Sequence, residues 1–201
     1  MIKEIIEREW EFFQKVQNIG GRASCQDDFD TFYLQRKSQF EVFSNELLQS
    51  YLLDLKEAKN QGRNMIMEKY AYMMESTDPT YFLQIQNQLP VIDSSQRELI
   101  DFICQIQVSM REEFNQKYPC LAYNARETHT YEDQKDETSF ETYLRGELMT
   151  YSSQTLYLYG QMLVEKMKNN QNLIIEIMEK TVISYGYASL EEAEIKMKEK
   201  G

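Results

Sequence analysis

Histidine occurs once in this chain of 201 residues, as His129. That scarcity removes the Glu-x-x-His pairs of a di-iron bundle and the His-x-x-x-His face of a helical zinc site. Cysteine is nearly as rare: Cys25, Cys104 and Cys120 stand far apart, without a CxxC, and their odd number reads as free thiols. No metal and no cofactor is expected. Three prolines and seven glycines leave few places where a helix must stop. No apolar run approaches the roughly 20 residues of a membrane span, and Met1-Ile2-Lys3-Glu4 lacks the charged and apolar regions that open a signal peptide. The expected location is the cytoplasm. Basic residues are also short, 22 against 33 acidic ones, for a net charge of -11. Nucleic acid and anionic membranes are poor partners for such a chain, because both need clustered Lys and Arg to replace counterions. Another protein, or a small molecule, is the partner left.

What is abundant points to helices. The chain is 42% hydrophobic and 27% charged, and at this length about 70% of the unfolded surface can be buried. An all-α fold follows. Ile2, Ile5, Ile6, Trp10, Phe13 and Val16 recur at helical spacing, so a helix is predicted over residues 2–18, ended by Gly20-Gly21. The stripe Phe29, Phe32, Tyr33, Phe40, Phe43, Leu47, Tyr51 and Leu55 predicts one long helix over 28–60. Asn64 opens the next, and Asp78-Pro79 supplies an N-cap and first-turn proline for a short one. Ser95-Gln96-Arg97-Glu98 reads as a capping box for a helix ending before Pro119. Residues 119–137 are acidic and unpatterned, and a loop of that length in a compact domain is commonly functional or disordered. A second long helix over 139–168, another over 172–184 and a last one capped by Ser189 complete the chain.

The chain also contains itself twice. Phe29-Asp30-Thr31-Phe32 is answered by Phe140-Glu141-Thr142-Tyr143 at an offset of 111, which persists at Phe40/Tyr151, Leu47/Leu158 and Asp54/Glu165. It then becomes 108, where Asn64-Met65-Ile66-Met67-Glu68 matches Asn172-Leu173-Ile174-Ile175-Glu176. The expected architecture is a single domain over 1–201, a helical bundle of two pseudo-two-fold related repeats (about 2–88 and about 94–187) with a C-terminal helix over about 189–200.

The polar residues that stand out are few. Arg22, Cys25 and Asp28 sit in Gly20-Gly21-Arg22-Ala23-Ser24-Cys25-Gln26-Asp27-Asp28, which reads either as a small-anion site beside a helix N-terminus or as a capped turn between helices. Glu68, matched by Glu176, and Glu141, matched by Asp30, are acids retained in the two copies, as ligand groups or as helix-start charges, and Arg145 follows Glu141 by one turn. Arg36 lies on an apolar stripe, and its counterpart at offset 111 is Glu147. Opposite charges on two facing helices are either a buried ion pair that sets the packing or the lining of an internal polar cavity. Glu4/Glu7, Glu176/Glu179 and Glu191/Glu194 have the Glu-x-x-Glu spacing of a magnesium-binding helix, a spacing that solvated helix faces produce far more often.

Taken with Glu68-Lys69-Tyr70-Ala71 and Tyr185-Gly186-Tyr187-Ala188, the glycine-containing segment above and Thr138-Ser139-Phe140-Glu141-Thr142-Tyr143-Leu144-Arg145-Gly146-Glu147-Leu148 resemble an uncharacterised bacterial family, one of the domains of unknown function. The resemblance covers nearly the whole chain and implies a helical fold, with no activity and no site residues. Two functions follow. One is a non-enzymatic binding or regulatory protein that uses its acidic surface or the 119–137 segment. The other is a protein or enzyme for a small polar or anionic ligand, with a site between the repeats drawn from Arg22, Cys25, Asp28, Arg36, Glu68, Glu141, Arg145 and Glu147.

Overall fold

A computed structural model describes residues 1–17, 21–123, 125–134 and 137–199. Among these residues there are eleven α-helices and no strand. In the first half they are α1 (Ile2–Phe13), α2 (Phe29–Phe40), α3 (Asn45–Asn60), α4 (Met65–Thr77) and α5 (Pro79–Ile85). In the second they are α6 (Ser94–Lys117), α7 (Pro119–Tyr123), α8 (Phe140–Leu148), α9 (Ser153–Lys168), α10 (Leu173–Ser184) and α11 (Leu190–Lys198).

Several boundaries differ from the expectation, each for a local reason. The first helix stops at Phe13 rather than near residue 18, because the side chain of Gln26 reaches back and donates to the carbonyls of Phe13 (2.8 Å) and Val16 (3.1 Å). A capping role for Gly20 lies outside the described residues, although Gly21 does take the left-handed φ of +88°. The predicted helix over 28–60 is two helices. Ser44 turns extended and its hydroxyl accepts the Leu47 N–H at 3.2 Å, which starts α3 afresh. The predicted helix over 139–168 breaks in the same manner, with Ser152 accepting from Thr155 at 3.3 Å. The cap of α6 is Asp93, not Ser95: Asp93 accepts the Gln96 N–H at 2.8 Å and the Gln96 side chain answers it, while Ser95 merely donates to Asp93. The 119–137 segment is less irregular than expected, since it contains α7 and a 3-10 turn over Thr130–Glu132.

Asn64 and Asn172 do what their residue type suggests and one thing more. Each side-chain oxygen accepts two N–H groups of its own helix. Each side-chain nitrogen then donates to a carbonyl of a neighbouring helix, Phe12 O at the end of α1 at 2.8 Å and Met110 O within α6 at 2.9 Å. One side chain thus caps its own helix and ties it to another.

Packing repeats between the halves. Helix α1 lies on α2, α3 and α4, and α6 lies on α8, α9 and α10; α2 packs on α10 as α8 packs on α4, while α3 and α9 pack on each other. The stripe of α1 (Ile5, Ile6, Phe12) and that of α6 (Ile103, Cys104, Met110) both enter one hydrophobic cluster that runs on to Ala193 in α11. Burying each such Ile or Phe side chain contributes about 1.5–3 kcal/mol. Gly146 lets α8 approach α4 closely, since a Cβ there would stand 2.6 Å from Met73 Cγ and 2.9 Å from the Lys69 carbonyl. No described helix is long and apolar enough to cross a membrane.

Candidate functional site

Four charged side chains meet where the halves join. Glu9 comes from α1, Arg36 from α2, Lys69 from α4 and Glu147 from α8, and all four are buried or nearly so. Arg36 lays one edge of its guanidinium on Glu9 (2.5 and 2.8 Å) and reaches Glu147 at 3.1 and 3.3 Å. Lys69 donates at 2.5 Å to Oε2 of Glu147, the oxygen that Arg36 Nη1 also reaches. Hydroxyls complete the acceptor positions: Tyr51 donates to Glu9 at 2.6 Å and Tyr151 to Glu147 at 3.0 Å. Two acids and two bases leave no net charge, which is what a dry interior demands.

The electrostatics follow from that geometry. Burial alone would raise the Glu147 carboxyl, but Arg36 and Lys69 override it and hold it well below the usual carboxylate range. Burial works against the charge of Arg36 as well, and Glu147 and Glu9 more than restore it. Tyr51 and Tyr151 are pushed far up by burial and by the carboxylates they face, so both remain proton donors.

Against this quartet lies a cleft of about 270 Å³ between α2, α4 and α8. Arg36 and Lys69 form its charged side. Phe13, Phe32, Ile66, Tyr70 and Tyr143 form its apolar walls, with Cys25, Asp28, Thr31, Gln35 and Arg126 around them. Two cations rest against the Tyr143 ring, Lys69 Nζ at 3.5 Å and Arg126 Cζ at 4.9 Å from its centroid. Lys69 draws the Tyr143 phenol down despite burial, whereas burial and the Tyr143 hydroxyl raise that of Tyr70.

The residues singled out by the sequence are divided among several places. Cys25 and Asp28 line the cleft with Arg36, and Glu147 lies behind Arg36 in the quartet. Asp28 is also the N-cap of α2, and the Thr31 N–H at 3.0 Å keeps its carboxyl low. Arg22 is bonded to Asp27 (2.9 Å), the Gln26 carbonyl (2.7 Å) and Gln14. Glu68 pairs with Arg63 at 2.7 and 2.9 Å and stays apart from the cleft. Glu141 and Arg145 border a separate groove with Asp101, Glu112 and His129, where Arg145 pairs with Asp101 and His129 lies 3.2 Å from Glu112. Two acids of the 119–137 segment are engaged as well. Asp133 accepts from Ser76, Thr142 and the Ser139 N–H, and Glu132 from the N–H groups of Thr128 and His129.

Sequence reasoning missed Glu9, Lys69, Tyr70, Tyr143 and Arg126. Glu9 and Lys69 carried a signal, each being a charge on an otherwise apolar helical stripe. Among the described residues no three His, Cys, Asp or Glu side chains gather as they would around a metal ion.

An all-helical bundle with a charge-lined cleft between its halves is the class that fold and site define. The chain belongs to the family described as a protein of unknown function, DUF4125, whose model matches residues 1–195. No curated protein and no solved structure matches it.

Proposed function

We propose that the protein is a non-enzymatic binding protein for a small molecule, held in the cleft between α2, α4 and α8. The observation that carries this reading is the cleft's position on a fully paired quartet. Paired, immobile charges offer a ligand oriented dipoles without requiring it to complete the core, so little reorganisation opposes binding. A catalytic cysteine has less support. Cys25 is exposed on the cleft, but the single histidine that could activate it stands with Glu112 in the other groove. An exposed thiol fits the reducing cytoplasm.

The same reading takes the chain as one domain made from a duplicated unit. N-caps support it: Ser44 and Ser152, like Asn64 and Asn172, stand 108 positions apart. Asp28 and Ser139 stand 111 apart, so the three-residue difference falls in α2 and α8, of 12 and 9 residues, and not in the later turn that the sequence offsets suggest. The shared core and repeated packing argue likewise. An experimental structure in which residues 45–77 fail to overlay on 153–185 would remove the duplication.

Binding is tested by screening a metabolite library for compounds that raise the melting temperature and slow alkylation of Cys25. The expected hits lose both effects in Thr31→Trp, which fills the cleft from an exposed helix position. A library in which no compound slows Cys25, or hits indifferent to Thr31→Trp, refutes the assignment.

A further inference from the structure

We propose that the ligand is a small planar organic anion, a carboxylate on an aromatic or conjugated body, with its carboxylate on Arg126 and its flat face along the aromatic walls. This rests on the reading of the cleft as a ligand site and adds the chemistry of the occupant.

Charge decides the sign. Arg36 and Lys69 are neutralised by Glu9 and Glu147, whereas Arg126 is in no ion pair among the described residues. Its Nη1 donates to the Thr138 carbonyl at 2.9 Å and its face rests on Tyr143. The guanidinium is therefore oriented, with Nε and Nη2 making no hydrogen bond to any described residue. That is the edge on which a carboxylate docks through two parallel bonds. The one acid on the cleft, Asp28, already accepts the Thr31 N–H, and a cationic ligand would meet three positive side chains.

Shape decides the body. Phe32, Tyr70 and Tyr143 bring ring surface to the cleft, and 270 Å³ is the volume of roughly nine liquid waters at about 30 Å³ each, enough for a one- or two-ring molecule. A compact hydrated ion such as phosphate would leave those walls uncovered. Tyr143 suits an anion further, because the phenol that Lys69 acidifies is a stronger hydrogen-bond donor.

The test uses the intact chain and three probes of one shape and different charge, namely benzoate, benzamide and benzamidine, with inorganic phosphate as a fourth. Alkylation of Cys25 is followed by peptide mass spectrometry and binding by calorimetry. Benzoate should slow Cys25 saturably, benzamide should bind at least tenfold more weakly, a difference of about 1.4 kcal/mol, and benzamidine and phosphate should leave the rate unchanged. Arg126→Gln should weaken benzoate at least tenfold without moving the melting temperature, and Arg126→Lys should restore part of the loss. Benzamide or benzamidine binding as well as benzoate, or benzoate binding unaffected by Arg126→Gln, overturns the anion while leaving the cleft a ligand site. Protection by phosphate alone overturns the planar body. Silence from all four probes overturns the proposal, and the library screen with Thr31→Trp then judges the cleft separately.

Discussion

Replacing Glu147 with glutamine preserves the shape of the side chain and removes one charge from a place where four are packed. The native carboxylate accepts from Arg36 at 3.1 and 3.3 Å, from Lys69 at 2.5 Å and from Tyr151 at 3.0 Å. An amide offers a single oxygen to those donors, and the quartet acquires a net positive charge at a residue only 7% exposed. Removing one partner of a buried pair costs about 3–5 kcal/mol, and Glu147→Gln should lose that much. Arg36→Met should lose a similar amount, since Glu9 would keep only the Tyr51 hydroxyl. The double variant R36M/E147L should not recover, because Glu9 and Lys69 would remain buried without their ion-pair partners. Recovery of the kind seen when whole buried networks become apolar is expected only when Glu9 and Lys69 are replaced too.

Urea unfolding followed by helical circular dichroism and by the fluorescence of Trp10, packed on Phe13, Phe29 and Phe32, measures each step. The pH dependence is a second check. Burial raises the Glu147 carboxyl and the two cations lower it further than that, below its ordinary 4.5. The folded chain then binds fewer protons than the unfolded one, so the contribution is complete above about pH 4.5 and fades as the pH falls. The difference between wild type and Glu147→Gln should shrink on acidification. Single variants that lose under about 1 kcal/mol, or a double variant as stable as wild type, would show that the four groups are not one coupled unit.

Gly146→Ala should destabilise by about 1–3 kcal/mol, because the new methyl meets the Lys69 carbonyl as well as the movable Met73 side chain; an unchanged melting temperature would refute the close approach. Asn64→Ala and Asn172→Ala should each cost about 1–2 kcal/mol in urea unfolding, with similar losses in the two halves because each removes a cap and a tether to a neighbouring helix. Arg111→Met should be neutral or stabilising: this guanidinium is buried over Phe114 and Phe140 with its Nε unbonded and its charge disfavoured by burial. A loss above about 1 kcal/mol on thermal unfolding would mean that its charge has a role.

The fold was legible wherever a residue type announces a backbone geometry. Asn64, Asp78-Pro79, Asn172 and Ser189 all start helices as their chemistry predicts. The breaks before Asn45 and Ser153 were not, because Phe40, Phe43 and Leu47 keep helical spacing across the turn, and periodicity is blind to a kink that preserves it. Ser44 and Ser152, hydroxyls inside apolar stripes, were the overlooked signs. Half of the quartet was readable from Arg36 and Glu147, and the other half stood in view as Glu9 and Lys69. Arg126 could not be found by pattern, since only the fold brings a residue of an irregular segment over Tyr143.

Arg36 and Glu147 each stand eight residues past the N-cap of their helix. Two copies of the first half in the same arrangement would set guanidinium against guanidinium, and two copies of the second would oppose carboxylates. If the halves are two copies of one unit, each is then mismatched in charge with a copy of itself and matched with its counterpart. On that reading, 1–92 and 93–201 co-expressed as separate fragments should select one another over copies of themselves, and one continuous chain supplies the two in equal number.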